Sequence, residues 1–153
     1  MARMDQALID RAILARDWLF EAAFPLWSDA GRHPEGGFRE RLDLQGRPIE
    51  DSQSRVRVQA RQVYSFALAW QMGWQPSWAR ACVVEGVEQL WQSGRRQDGL
   101  FGRRLTHGEG LSDDTADLYD NAFALLALSQ AARAGADMAR GTADETARTV
   151  TSL

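Results

Sequence analysis

Lysine is missing from this sequence altogether: all 18 basic residues are arginine. That absence excludes Schiff-base chemistry and any lysine general base. A single cysteine, Cys82, excludes an internal disulfide and any cysteine-built zinc cluster, and within "ARACVVEGVEQLW" it reads as a small core residue. Uninterrupted apolar runs of about 18 residues are lacking, and "MARMDQALIDRAIL" has no signal-peptide core. The expectation is a soluble, cytoplasmic protein with no membrane partner. No glycine-rich phosphate loop, G-x-G-x-x-G or G-x-S-x-G occurs. Positive charge is not gathered into a block, and the net charge is −3, so nucleic acid is not an expected partner.

What is present is a length of 153 residues, ordinary for one domain, with 44% hydrophobic and 25% charged residues. A chain of this size buries about 70% of its unfolded surface, enough for a real core. Residues 1–153 are therefore expected to form one domain.

Helical periodicity recurs four times. From about Asp5 to Trp27, the residues Leu8, Ala12, Ala15, Leu19, Ala22 and Leu26 fall on one stripe at spacings of three and four. A second segment runs from about Arg55 to Met72. A third starts with Ser77 as N-cap and continues through Trp91 to Gly94; a fourth spans about Thr115 to Ala134 and is closed by Gly135. The tail "GADMARGTADETARTVTSL" begins another helical pattern and stops without a visible partner.

Two similar loops separate these helices, "GGFRERLDLQGRPIE" and "GLFGRRLTHGEGLSD", and each could form a short hairpin. Aligning Phe38 with Phe101 gives a spacing of 63, and aligning Phe66 with Phe123 gives 57, so the unit repeats about every 60 residues. Repeated helix pairs bury their faces on neighbours, which predicts an all-α fold, an α/α solenoid or a toroid of helical hairpins. A closed ring of six units would need roughly 350 residues, of which this chain supplies about two and a half units. An open flank of such a ring would favour self-association.

In "RVRVQARQVYSFALAW" a polar head runs into an apolar helix, and Arg61 with Gln62 stands at that junction. Either Arg61 is a surface or ion-paired arginine, or the head of the helix opens into a polar pocket where Arg61 holds a substrate's oxygen atoms. In "DTADLYDNAFALLALS", Asp117, Tyr119, Asp120 and Asn121 likewise precede an apolar helix, as expected if both ends line one site; capping is the plainer explanation. His33 and His107 sit in Gly/Pro-rich loops with no companions at metal-ligand spacing and read as surface residues. Glu40 with Asp43, and Asp113 with Asp114, could be read as a glycosidase carboxylate pair or as solvated charge. The six tryptophans read first as packing residues, with one or two available to stack on a sugar.

Four blocks, "FPLWSDAGRHPEGGFRERLDLQGRP", "RVRVQARQVYSFALAWQMGW", "DGLFGRRL" and "DLYDNAFALLAL", resemble the N-terminal part of the N-acylglucosamine 2-epimerase family over about residues 10 to 135. The family includes cellobiose 2-epimerases, mannose isomerases and bacterial mannose-6-phosphate isomerases. The resemblance implies a partial (α/α)6 barrel, a sugar or sugar phosphate as ligand, no cofactor and no metal. It implies proton transfer next to a sugar carbonyl, with Arg61 at the sugar oxygens as the catalytic cation, Tyr119 lining the pocket, and Asn121 where relatives carry histidine or another polar residue. It places the acid/base histidines in later repeats, so that this stretch alone is expected to be inactive. The other readings are a six-hairpin glycosidase fragment, in which Asp113, Asp114 and Asp117 would matter more than Arg61, and a non-catalytic helical-repeat module binding a carbohydrate or a protein.

Overall fold

The computed structural model describes residues 5–76 and 78–151, and it is mostly helical. Asp5 caps the first helix by accepting from the Ala7 amide at 3.1 Å. The helical run passes through α1 (Gln6–Trp18), a π-helical turn (Leu19–Ala23) and α2 (Phe24–Asp29). The widened turn ends at Ala23, two residues before Pro25, which has no amide to continue the i to i−4 ladder. The expected apolar stripe is not a buried face: no residue of α1 is buried, and Leu8 and Leu26 stand 60% and 40% exposed. Periodicity marked the helix but not what covers it.

The next two helices are α3 (Val56–Gln71) and α4 (Ala79–Gln89), the latter followed by a second π turn, Leu90–Gly94. Ser77, the expected N-cap of α4, lies outside the described residues. Then come α5 (Leu118–Arg133) and α6 (Asp137–Thr151). Ion pairs and amide bonds join the starts of α3 and α5 (Arg57 to Asp120) and their ends (Gln71 to Gln130), so these two helices lie side by side and parallel. Gly73 and Gly135, at φ +94° and +84°, end them in the same way: Trp74 and Ala136 reach back to the carbonyls of Ala69 and Ala131 at 3.0 Å.

These equivalences correct the expected repeat. Val56 with Leu118 and Gly73 with Gly135 both lie 62 residues apart, and the bridges Arg32 to Phe38 and Arg95 to Phe101 lie 63 apart. Helix and loop therefore repeat together, and the 57-residue pairing of Phe66 with Phe123 aligned chemically similar residues that are not structural equivalents.

The all-helical expectation also needs one addition. The second loop folds into a hairpin of β2 (Arg104–Thr106) and β3 (Gly110–Asp113), as expected. The first loop forms no named hairpin, holding the isolated bridge Leu42 to Pro48, and the chain after it supplies β1 (Gln53–Arg55), which joins the hairpin to give the antiparallel order β1-β2-β3. Ser54 faces Leu105 in that register.

The core gathers Phe24, Phe38, Phe66 and Trp74, with Phe38 stacked on Phe66 at 5.4 Å and Trp74 at 5.1 Å from Phe24. The Trp74 indole N–H is satisfied by the Phe20 carbonyl at 3.1 Å, which fastens the first helical run to the end of α3. Between α3 and α4 the approach is close: a Cβ on Gly86 would come within 2.6 Å of Val63 Cγ2 and 2.8 Å of Phe38 Cε2. Cys82 is buried in this layer, as its surroundings in the sequence suggest, and burial holds its thiol pKa up. Among the described residues no helix is long and apolar enough to cross a membrane.

Candidate functional site

The starts of α3 and α5 each present two kinds of side chain. On α3, Gln59 is fully buried; its Oε1 accepts from the Phe38 amide at 2.8 Å, and its Nε2 donates back to the Phe38 carbonyl and to Ser54 Oγ at 3.1 Å. On α5, Asn121 makes the same clamp on Phe101: Oδ1 accepts from its amide at 2.8 Å and Nδ2 donates to its carbonyl at 3.1 Å. Asn121 Nδ2 also donates to the Asp117 carbonyl at 2.9 Å, and the residue is only 2% exposed. Three of the hydrogen-bonding positions of Asn121, the residue expected to contact substrate, are thus committed to backbone. Asn121 does border an apolar cavity of about 260 Å³ with Leu100, Leu118 and Val150, but neither Arg61 nor Tyr119 lines it.

Facing away from the clamps is a second group. Arg61 is exposed, not buried, and its Nη2 donates to the Tyr119 hydroxyl at 2.9 Å. Its guanidinium carbon sits 4.4 Å from the centre of the Phe123 ring and 6.0 Å from that of Tyr119, and the two rings meet edge to face at 4.9 Å. Stacked on an aromatic face, the guanidinium keeps its in-plane donors free for oxygen atoms. The structure thus brings Arg61 and Tyr119 together.

Sequence reasoning missed Arg57. It lies one turn before Arg61, 5.8 Å from the Tyr119 ring centre, and its Nη1 donates to Asp120 Oδ1 at 3.1 Å. Asp120 is fully buried, and its Oδ2 has no hydrogen-bond partner among the described residues. The available signal was the 62-residue frame, which aligns Arg57 with Tyr119 and Arg61 with Phe123. Two cations on one helix thereby meet two aromatics at matching heights on its neighbour. Asp117 caps α5 by accepting from the Asp120 amide at 2.8 Å.

The histidines are not the separate surface residues expected. His33, half-buried, stacks on His107, 8% exposed, with ring centres 3.7 Å apart and planes 13° off parallel. Ser54 Oγ and His107 Nε2 share a hydrogen bond at 2.5 Å, and Gln59 Nε2 donates to the same hydroxyl oxygen. Burial, then the neighbouring His33 and Arg39, push the His107 pKa down to about 4, offset in part by the Gly36 backbone. The His33 pKa is lowered by burial and Arg39, against Glu35 and Glu50. Loop composition concealed the pair because its partners come from different loops. No cluster of three or more metal-ligating side chains occurs among the described residues.

Three of the carboxylates singled out for glycoside hydrolysis, Glu40, Asp43 and Asp113, are occupied. Glu40 binds the Arg55 backbone amide at 2.9 Å and its guanidinium at 2.5 Å. Asp43 is held below the usual carboxylate range by the amide and guanidinium of Arg47, and Asp113 by Thr115. A glycosidase acid requires a carboxyl held up, not down.

Residues 36–152 match the N-acylglucosamine 2-epimerase (GlcNAc 2-epimerase) family. A mannose-6-phosphate isomerase from Rhizobium meliloti (strain 1021) is 44% identical over 117 residues, which cover 75% of this chain and 30% of that protein. The fold is similar to that of cellobiose 2-epimerase from Spirochaeta thermophila DSM 6192, with a TM-score of 0.85 at 18% identity over 99% of this chain and 38% of that one. It is also similar to a D-mannose isomerase, with a TM-score of 0.80 at 23% identity over 91% of this chain and 35% of that one. The chain spans about a third of the length of these relatives. On the extent of the family match, this chain belongs to the N-acylglucosamine 2-epimerase family of sugar epimerases and isomerases.

Proposed function

We propose that residues 1–153 form one wall of the substrate pocket of a sugar isomerase or epimerase, about two and a half helical hairpins of a six-hairpin ring. The substrate in this reading is an open-chain aldose or ketose of the mannose type. The observation that carries it is the hydrogen bond from Arg61 to Tyr119 on an exposed face where two parallel helices begin.

The reaction needs a base to remove the C2 proton of the open-chain aldose, which leaves an enediol or enediolate. Return of the proton to C2 epimerises the sugar, and its delivery to C1 interconverts aldose and ketose. Arg61 serves as the cation beside the developing enediolate oxygen, and Tyr119 orients the neighbouring hydroxyl. A base poised near neutral pH is a separate requirement. His107 does not meet it, since its Nε2 is taken by Ser54 and its pKa lies at about 4. In this reading the proton-transferring groups lie outside residues 1–153, as the family resemblance implies.

The test is incubation of the 153-residue chain with mannose or mannose 6-phosphate in deuterated water, read by proton NMR. The expected result is no protein-dependent loss of the C2 proton signal, while mannose titration moves the Arg61 and Tyr119 resonances. Protein-dependent deuterium at C2 would refute the division of labour, and mannose binding that leaves both resonances unmoved would refute the pocket.

A second reading, a helical module that associates through its open flank, is favoured by one observation. Leu8, Ile13, Leu14 and Trp18 on α1 are between 43% and 69% exposed. Light scattering on the chain at several concentrations separates the two: a monomer throughout counts against association.

A further inference from the structure

We propose that Arg57 determines substrate specificity: beside the Arg61–Tyr119 pair it holds the phosphate of a phosphate monoester, so that the sugar taken is a sugar phosphate. The sugar half of this statement rests on the pocket reading above; the anion half rests on local chemistry alone.

Arg57 and Arg61 are four residues apart on α3 and therefore share a face. Both guanidinium carbons lie within about 6 Å of the Tyr119 ring centre, at 5.8 and 6.0 Å. Among the described residues no carboxylate pairs with Arg61, and Arg57 gives a single nitrogen, Nη1, to Asp120. Nε and Nη2 of Arg57 make no hydrogen bond there, and its side chain is 27% exposed while Asp120 is 0% exposed. The carboxylate is thus the buried layer and the guanidinium the layer in front of it.

The pair joins the starts of α3 and α5, and Asp120 in the first turn of α5 suits the helix dipole, but these account for only part of the arrangement. A buried carboxylate with a single charged partner is close to neutral for stability or costs some, and Asp120 Oδ2 has no compensating bond. What the pair does achieve is to fix the fork of Arg57 beside Tyr119. The face then carries two guanidinium groups against one carboxylate, a net positive charge. Neutral sugar hydroxyls need hydrogen-bonding groups but no second cation. A phosphate dianion takes the uncommitted in-plane donors of Arg57, Nε and Nη2, while Arg61 and Tyr119 stay with the sugar oxygens.

The experiment uses the full 153-residue chain. Arginine side-chain proton–nitrogen NMR spectra are recorded during titration with mannose 6-phosphate, mannose and inorganic phosphate, for the parent chain and for Arg57→Gln. Mannose 6-phosphate is expected to bind about tenfold or more tightly than mannose, as charge-assisted bonds allow, and to move the Arg57 signal. Arg57→Gln is expected to bring the affinity ratio of the two sugars close to one. Equal affinities in the parent, an undiminished ratio in the variant, or no saturable response to any of the three ligands would overturn the inference. If inorganic phosphate moves Arg57 while mannose moves nothing and the sugar phosphate binds no better than phosphate, the anion subsite stands and the sugar reading fails. Should Arg57→Gln lose its fold by circular dichroism, Arg57→Lys keeps the charge without the fork and is expected to weaken mannose 6-phosphate severalfold; unchanged binding there would also overturn the inference.

Discussion

Acid should loosen this fold at one identifiable joint, the stacked His33 and His107. Two charged rings cannot lie 3.7 Å apart, and burial keeps the His107 pKa at about 4 against an ordinary value of 6.5. The groups facing the pair are Arg39, Glu35, Glu50, Ser54 and the Gly36 backbone. Because the folded pKa lies below the unfolded one, the unfolded chain takes up the proton first. The contribution of His107 is complete above pH 6.5, declines as the pH falls from 6.5 towards 4, and levels off below that. A displacement of this size is worth about 3 kcal/mol, and His33 adds in the same direction. That is a large share of a net stability of about 5–15 kcal/mol. Urea unfolding at fixed pH values from 8 to 4 measures it, with His107→Phe as the control that retains a flat ring without a titrating group. The parent should lose about 3 kcal/mol more than the variant between pH 7 and pH 4. Parallel curves for the two proteins would show that the stack is not the acid-sensitive joint.

Asn121→Leu leaves the buried amide and carbonyl of Phe101 unpaired and should cost about 2–4 kcal/mol in urea unfolding; a change below about 0.5 kcal/mol would return Asn121 to the candidate ligand contacts. Arg61→Ala, at an exposed position, should change stability by less than about 0.5 kcal/mol and weaken mannose binding about tenfold by NMR titration, whereas a purely structural arginine would reverse that ranking. Gly86→Ala sets a clash of about 1–3 kcal/mol against a helix-propensity gain of about 1 kcal/mol, so a lowered thermal midpoint is expected and a raised one would mean that the contact of α3 with α4 is looser than described.

The helices were legible because their signals are local. Asp117 as a cap and Gly73 and Gly135 as stops each act within one turn. Less legible was whatever depends on a partner from a distant segment. The stripe on α1 shows helical period without burial, since period reports geometry and not contact. The histidines look unpaired in sequence because their stacking depends on β1 joining β2, and nothing within either loop specifies that register. Arg57 was overlooked because its chemistry appears only when Tyr119 and Asp120 of the next repeat stand beside it.

The polar residues at the two helix starts read as one coincidence in the sequence and separate into two layers in the fold. Successive helical residues turn by about 100°, so Gln59 points away from Arg57 and Arg61, two positions to either side. The inward amide fixes α3 to the loop at Phe38 and, through Ser54, to the histidine stack. The outward guanidinium groups then hold a set height against Tyr119 and Phe123 because α5 is fixed in the same way, by Asn121 to Phe101. A side chain as long as arginine is placed only as well as the backbone that carries it. The two buried amides therefore set the spacing of the two cations. Loss of either clamp should consequently alter the line-up of Arg61 with Tyr119 before it abolishes folding.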